Sequence, residues 1–430
     1  MDSFQDAHYF SLPSQGNVYC YVDLSLTSGL KKSLFAILKR RVFCCEFASG
    51  ANGTLVPVIK EIPFTYIPAG AEIISMDGFN KSSERDDFLI GISIIKEASD
   101  QGQESFLNVY MEQESDEKGN LNLENLAQNC LMIELNFIPY QLYHTYVIHE
   151  DGSKEVVWLL PGSDLVIHVY QEDPQNHTYS ETNAVLFPEF NHIEAIVLAV
   201  DIKFSRDLKK RFSAIGCECG LLKLFMSDPI SGDVYRQLSE YYDAPVSQVR
   251  LFSFDNSIET SELKFFAGDD GAKRLMDKKD QEASIHLLAV NVARPSAVFI
   301  DVRSNGLSKK QLLPESNMHD SAIACHIADI DMDGKPEILI GTYLQMLLVY
   351  KFGKSSWELM AKRRFSHAIH DIDYIDLSYN GVKELVVCTA SGIHIYQHQP
   401  AFVLKKFHER LEPYLKITNP AGEDETTVAK

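Results

Sequence analysis

The chain has 430 residues, of which 45% are hydrophobic and 23% charged, so it carries ample apolar material for a core and is neither fibrous nor a disordered polyelectrolyte. Asp and Glu number 60 against 40 Lys and Arg, and the resulting formal charge of −20 makes nucleic acid and anionic lipid poor partners for the surface as a whole. Length alone would suit about three domains, but closed all-β units spend far more residues on one domain, so the count has to come from pattern.

The N-terminal stretch MDSFQDAHYFSLPSQG is acidic and has no apolar h-region, so no secretory signal is expected, and no apolar run approaches the roughly 20 residues of a spanning helix. The eight cysteines (Cys20, Cys44, Cys45, Cys130, Cys217, Cys219, Cys325 and Cys388) include no C-x-x-C, which is neither a disulfide framework nor a zinc spacing. Reduced thiols in a cytoplasmic protein are expected.

From there one unit recurs: an apolar strand, a short turn and a second apolar or alternating strand. Its copies are SLFAILKRRVFCCEF (33–47), FLIGIS to SFLNVYM (88–111), VVWLLPGSDLVIHVY (156–170), SAIGCECGLLKLFM (213–226), LLAVNVARPSAVFIDV (287–302), EILIGTYLQMLLVYK (337–351) and ELVVCTASGIHIYQ (384–397). The uneven spacing is assigned to hydrophilic loops, EASDQGQE with EQESDEKGN after the second unit's first strand, and AGDDGAKRLMDKKDQEAS before the fifth unit. A unit that cannot bury both its faces alone does so by stacking radially, which favours a ring over two or three β-sandwiches. The reading is all-β: a single seven-bladed β-propeller over 1–398, with NVYCYVD (17–23) as the strand that closes it. Beyond it, QPAFVLKKFHERLEPYLKI places Leu404, Phe407, Leu411 and Tyr414 or Leu415 at helical spacing, predicting an amphipathic helix over 399–416 that bends or ends at Pro413 and packs on the propeller, with a helix offered to a partner's groove as the competing reading. A disordered tail over 417–430 should follow.

The strongest local motif is Asp329-Ile-Asp331-Met-Asp333-Gly334-Lys-Pro-Glu337, running straight into the strand ILIG. Carboxylates at positions 1, 3 and 5 can converge on one hard cation, and Gly334 permits the sharp turn this needs. An EF-hand is excluded, because its twelfth position would be Ile340 and strands rather than helices flank the loop. The pattern instead resembles the FG-GAP loops of integrin-type propellers, and that resemblance implies Asp329, Asp331, Asp333 and Glu337 as ligands of a Ca2+ ion. A capped Asx-turn without metal is the competing reading. A weaker copy follows at Asp376-Leu-Ser378-Tyr-Asn380-Gly381-Val-Lys-Glu384, where Ser and Asn replace two carboxylates.

His367-x-x-His370-Asp371 and His192-Ile-Glu194 lack the context of known metal or deaminase motifs. No G-x-S-x-G, Walker A or G-x-G-x-x-G pattern occurs, so no catalytic residues and no cofactor beyond Ca2+ are expected. Basic runs at 31–41, 206–211 and 362–364 are the places where an acidic partner could dock.

Several strings resemble the kaptin family: SQGNVYCY (14–21), FTYIPAGAEIISMDGFNKS (64–82), NLENLAQNCLMIELNFIPYQL (122–142), LLPGSDLVIHVYQE (159–172) and DSAIACHIADIDMDGKPEILIGTY (320–343). The resemblance implies a non-enzymatic subunit of the KICSTOR scaffold. With a second integrin-repeat propeller and a very large partner, such a subunit would hold the GATOR complex at the lysosomal membrane and restrain the target-of-rapamycin kinase when nutrients are low. It equally implies an association with actin filaments at cell edges, so an actin-binding cytoskeletal protein is the alternative function.

Overall fold

A computed structural model describes the chain except residues 2, 27–30, 38–39, 50–54, 83–84, 99–101, 113–120, 174, 177, 255–283 and 419–430. Its strands form seven four-stranded antiparallel sheets. Blade one is β2 (Gly16–Ser25), β3 (Lys31–Ile37), β4 (Arg41–Ser49) and β5 (Leu55–Ile62), and blade two is β6 (Ala71–Asn80), β7 (Phe88–Ala98), β8 (Gly102–Met111) and β9 (Cys130–Leu135). Blade three is β10 (Tyr143–Ile148), β11 (Lys154–Pro161), β12 (Ile167–Asp173) and β13 (Thr178–Glu181), and blade four is β14 (Val197–Phe204), β15 (Arg211–Cys217), β16 (Leu221–Ser227) and β17 (Val234–Tyr241). Blade five is β18 (Val246–Phe252), β19 (His286–Asn291), β20 (Ala297–Phe299) and β21 (Lys310–Leu312), and blade six is β22 (Ala322–Ala328), β23 (Glu337–Thr342), β24 (Met346–Phe352) and β25 (Trp357–Arg364). Blade seven joins β26 (Ile369–Ile375), β27 (Glu384–Thr389) and β28 (Gly392–His398) to the N-terminal β1 (Phe4–Ser11).

The seven strand-turn-strand copies are the middle hairpins of the seven blades. Their strands are buried on both faces, as β15, β16 and β23 are at every residue, so they read as continuous apolar runs. Outer strands such as β17 and β25 alternate exposed and half-buried positions and carry the polar residues. First strands of neighbouring blades pack together around the centre.

Three expectations need correction. The ring is closed by β1, which pairs with β28 from Phe4 opposite His398 to Ser11 opposite Gly392, whereas residues 17–23 lie in β2, the innermost strand of blade one. An outermost strand has one wet face, so FQDAHYFS is polar and gives no strand signal. Part of EASDQGQE is not loop: Lys96, Glu97 and Ala98 pair with Glu104, Gln103 and Gly102, extending the hairpin outward. The insertion at 266–284 lies, but for its last residue, outside the described residues, as do the tail residues from 419 on. Among the described residues three one-turn α-helices, α1 (Leu123–Leu126), α2 (Asn183–Leu186) and α3 (Val302–Asn305), sit in connections; the terminal helix α4 (Pro400–Thr418) runs past Pro413 rather than ending there. A proline removes one helical hydrogen bond, which the neighbouring turns can bridge. No disulfide links the eight cysteines, and all but Cys130 and Cys219 are buried.

Candidate functional site

The acidic loop of blade six joins the first strand, β22, to the second, β23. Asp329 opens the loop by accepting the amides of Asp333 at 2.9 Å and Gly334 at 2.8 Å, and the fully buried Glu337 accepts the amide of Ile330 at 2.9 Å. Gly334 holds φ of +90°, the left-handed turn that lets the loop fold back. One carboxylate oxygen from each of Asp329, Asp331 and Asp333 comes within 4.8 Å of the others. Glu337 does not join that trio at the same range. Instead Asp331, Asp333 and Glu337 face the Lys351 ammonium, which bonds Asp331 and lies 2.7 Å from Asp333 and 3.2 Å from Glu337. Burial, reinforced by the Asp331 charge, pushes the Glu337 carboxyl up to about 7. Burial is the largest single influence on Asp333 and raises it, but the hydrogen bond and charge of Lys351 together with the amide and charge of Lys335 leave that carboxyl below its usual range.

Blade seven repeats this skeleton with fewer charges. Asp376 accepts the amides of Asn380 and Gly381, at 3.1 and 2.8 Å, and Glu384 accepts the amide of Leu377 at 2.8 Å. The remaining oxygen of Glu384 takes the Ser378 hydroxyl at 2.6 Å and the Gln397 amide at 3.2 Å. Both loops lie beneath α4, whose Arg410 reaches Asp329 at 3.3 Å. The first half of the predicted stripe is not buried: Leu404 is 57% and Phe407 54% exposed, and the two border an apolar groove of about 470 Å³ shared with Val382, Pro400 and Val403. Contact runs instead through Phe402, stacked on His398 at 5.3 Å, and through Arg410.

A second cluster lies on the ring axis. In β6, β14, β18, β22 and β26 the register with the next strand skips one residue, at 74, 198, 247, 323 and 370 respectively. A bulge frees backbone groups from the ladder, and side chains from neighbouring strands take them up. Asn17 bonds the carbonyl of Ile74 at 3.0 Å, Gln248 that of Ile323 at 3.3 Å, and Tyr19 spans the axis to Leu198 at 2.8 Å. The bulged Ser247 bonds the Ala322 carbonyl of the next blade at 2.6 Å. These links surround a cavity of about 170 Å³ lined by Arg250, His144, Asp77, His370 and Asp371 among others. Burial pushes Asp371 up to about 7 and His370 down.

The remaining sequence candidates do not assemble. His370 and Asp371 reach the cavity, whereas His367 bonds Ser391 at 2.6 Å on the exposed rim. Glu194 pairs with Lys223 at 3.0 Å, leaving His192 without it. The basic runs stand on blades one, four and six, and several of their cations are paired within the chain: Lys32 with Glu46, Arg41 with Glu61, Lys362 with Glu315 and Arg363 with Asp6. Arg211 is wholly buried against Glu189 at 2.8 Å. Sequence reasoning missed Lys351, Arg410 and the axial links, since each depends on strands brought together from different places.

The sequence profile of the family described as KICSTOR complex protein kaptin matches residues 4–408, from the closing strand into α4. The KICSTOR complex protein kaptin of Mus musculus is 33% identical over 391 residues, which cover 90% of this chain and 86% of the mouse protein. Among solved structures, BBS1N in complex with ARL6DN is similar with a TM-score of 0.53 at 8% identity, covering 93% of this chain and 97% of that one. The Dos1 propeller is similar with a TM-score of 0.50 at 8% identity, covering 92% and 95%. At that identity the two structures bear on the fold alone.

Proposed function

The chain belongs to the kaptin family, and from that premise we propose that it is a non-enzymatic subunit of a KICSTOR complex. It serves there as a rigid platform that helps hold the GATOR complex at lysosomes and restrains target-of-rapamycin signalling when nutrients fall. The observation that carries this reading is the family match across the entire ring. A ring whose blades are stitched together at the axis presents its rim already ordered, so a partner binds without having to order the scaffold first. No helix among the described residues is long and apolar enough to cross a membrane, so recruitment to a lysosome would run through protein partners. Actin binding draws little from charge, because the basic runs are spread over three blades and several of their cations are already paired within the chain.

In cells lacking this chain, target-of-rapamycin signalling should stay high during amino-acid starvation, with the GATOR complex displaced from lysosomes. Affinity purification with mass spectrometry should recover KICSTOR-type subunits, including a second integrin-repeat propeller. Normal shut-off in the null line, together with co-sedimentation of the chain with actin filaments, would overturn the scaffold reading.

A further inference from the structure

In an FG-GAP-like loop the carboxylates are expected to gather around Ca2+, yet in blade six they gather around an amine. We infer that the Lys351 side chain is a built-in substitute for the metal, so that this loop is closed by a tethered cation and takes no Ca2+. The ammonium contacts Asp331, Asp333 and Glu337, three of the four residues that the spacing assigns to a metal. The fourth, Asp329, spends its oxygens on the Asp333 and Gly334 amides and on Arg410. A hard divalent cation needs its oxygens at about 2.3–2.6 Å. To obtain them it would have to displace a like charge that strand β24 holds in place from below. The residues present therefore carry the right acids for Ca2+ but already contain their counter-ion.

Blade seven supplies an internal comparison. Ile338 pairs with Tyr350 and Leu385 pairs with Tyr396, so Lys351 and Gln397 occupy the same place opposite Glu337 and Glu384. Where the loop has Asp331 and Asp333, the facing residue is Lys; where it has Ser378 and Asn380, the facing residue is Gln, bonded to Glu384 at 3.2 Å. Two acids and one cation have changed together while the backbone hydrogen bonds stayed the same. A loop that relied on metal would have no reason to match its facing residue to its acid content.

The test is thermal unfolding of the full chain in EDTA and in millimolar CaCl2. The wild-type midpoint should be the same in both. Lys351→Met keeps the stem but leaves the acids uncompensated, so its midpoint in EDTA should fall by on the order of 5 °C and recover in millimolar Ca2+. The triple variant Asp331→Ser, Asp333→Asn, Lys351→Gln copies blade seven and should melt close to wild type without responding to Ca2+. It keeps the question answerable should Lys351→Met fail to fold. A saturable Ca2+-dependent rise in the wild-type midpoint would overturn the inference. So would a folded Lys351→Met that ignores Ca2+, or a triple variant that melts at least 5 °C below wild type.

Discussion

At the residue scale the axis concentrates the costs of burial. Asp371 lies in the cavity with one carboxylate oxygen on the Ile372 amide at 2.8 Å, and burial sets its carboxyl at about 7 instead of the ordinary 3.8. The folded protein therefore holds a proton there, between about pH 4 and 7, that the unfolded chain has released, and stability falls as pH rises through that window. Glu337, raised to about 7 from 4.5, adds a slope of the same sign. Asp371→Asn imitates the protonated acid and can still accept the Ile372 amide. It should be neutral near pH 4 and stabilising by about 2 kcal/mol near pH 8, after allowing for the solvated part of the cavity. Urea unfolding at the two pH values checks this, and an Asn variant less stable than wild type at pH 8 would contradict the assignment. Arg250, Tyr143, His144 and Asp77 line the same space and Asp201 accepts the Tyr143 hydroxyl beside it, so the remaining pH dependence belongs to the cluster as a whole.

At the element scale, glycines in the second strands decide how closely blades approach. A Cβ on Gly341 would stand 2.5 Å from Ile369 Cγ2, and one on Gly216 2.7 Å from Val246 Cγ1, both side chains belonging to the first strand of the next blade. The gap left by the missing side chain is filled by the neighbour's branched one, which locks adjacent blades together. Gly334 differs, since a Cβ there would meet nothing within 4 Å and only its φ of +90° demands glycine. Gly341→Ala should accordingly cost about 1–3 kcal/mol through overpacking. Gly334→Ala should cost about 1 kcal/mol through backbone strain alone. In a double variant with Ile369→Ala, the Gly341 penalty should shrink because the clashing Cγ2 methyl is removed, and the Gly334 penalty should not. Equal penalties in both backgrounds would mean that the blade contact is not what Gly341 serves.

For the whole molecule the decisive contact is the one between its ends. β1 completes blade seven, inserts Phe4 into the core shared by blades six and seven, and sends Asp6 to Arg363 of blade six at 3.0 Å. Removing residues 1–11 leaves the outer edge of β28 unpaired, and an open edge recruits strands from other molecules. The truncated chain should melt at lower temperature and self-associate in size-exclusion chromatography with light scattering. A truncated chain that stays monomeric with an unchanged midpoint would show that another contact closes the ring.

Local pattern was enough to specify the seven blades, because each middle hairpin is buried on both faces and writes an uninterrupted apolar run into the chain, as EILIGT and MLLVYK do in blade six. It was also enough to locate the acidic loop, since Asp329, Asp331, Asp333, Gly334 and Glu337 are neighbours in sequence. The closing strand was not legible, because FQDAHYFS is half solvent-facing and its partner lies at the opposite end of the chain. Nor was the cation of the loop, for Lys351 reaches Glu337 only when β24 lies beside β23. The side chain of Tyr19, which bonds a carbonyl 179 positions away, makes the same point at the axis. Burial leaves its trace on every residue it covers, so it can be read along the chain, whereas a pairing between distant strands exists only once the ring has closed.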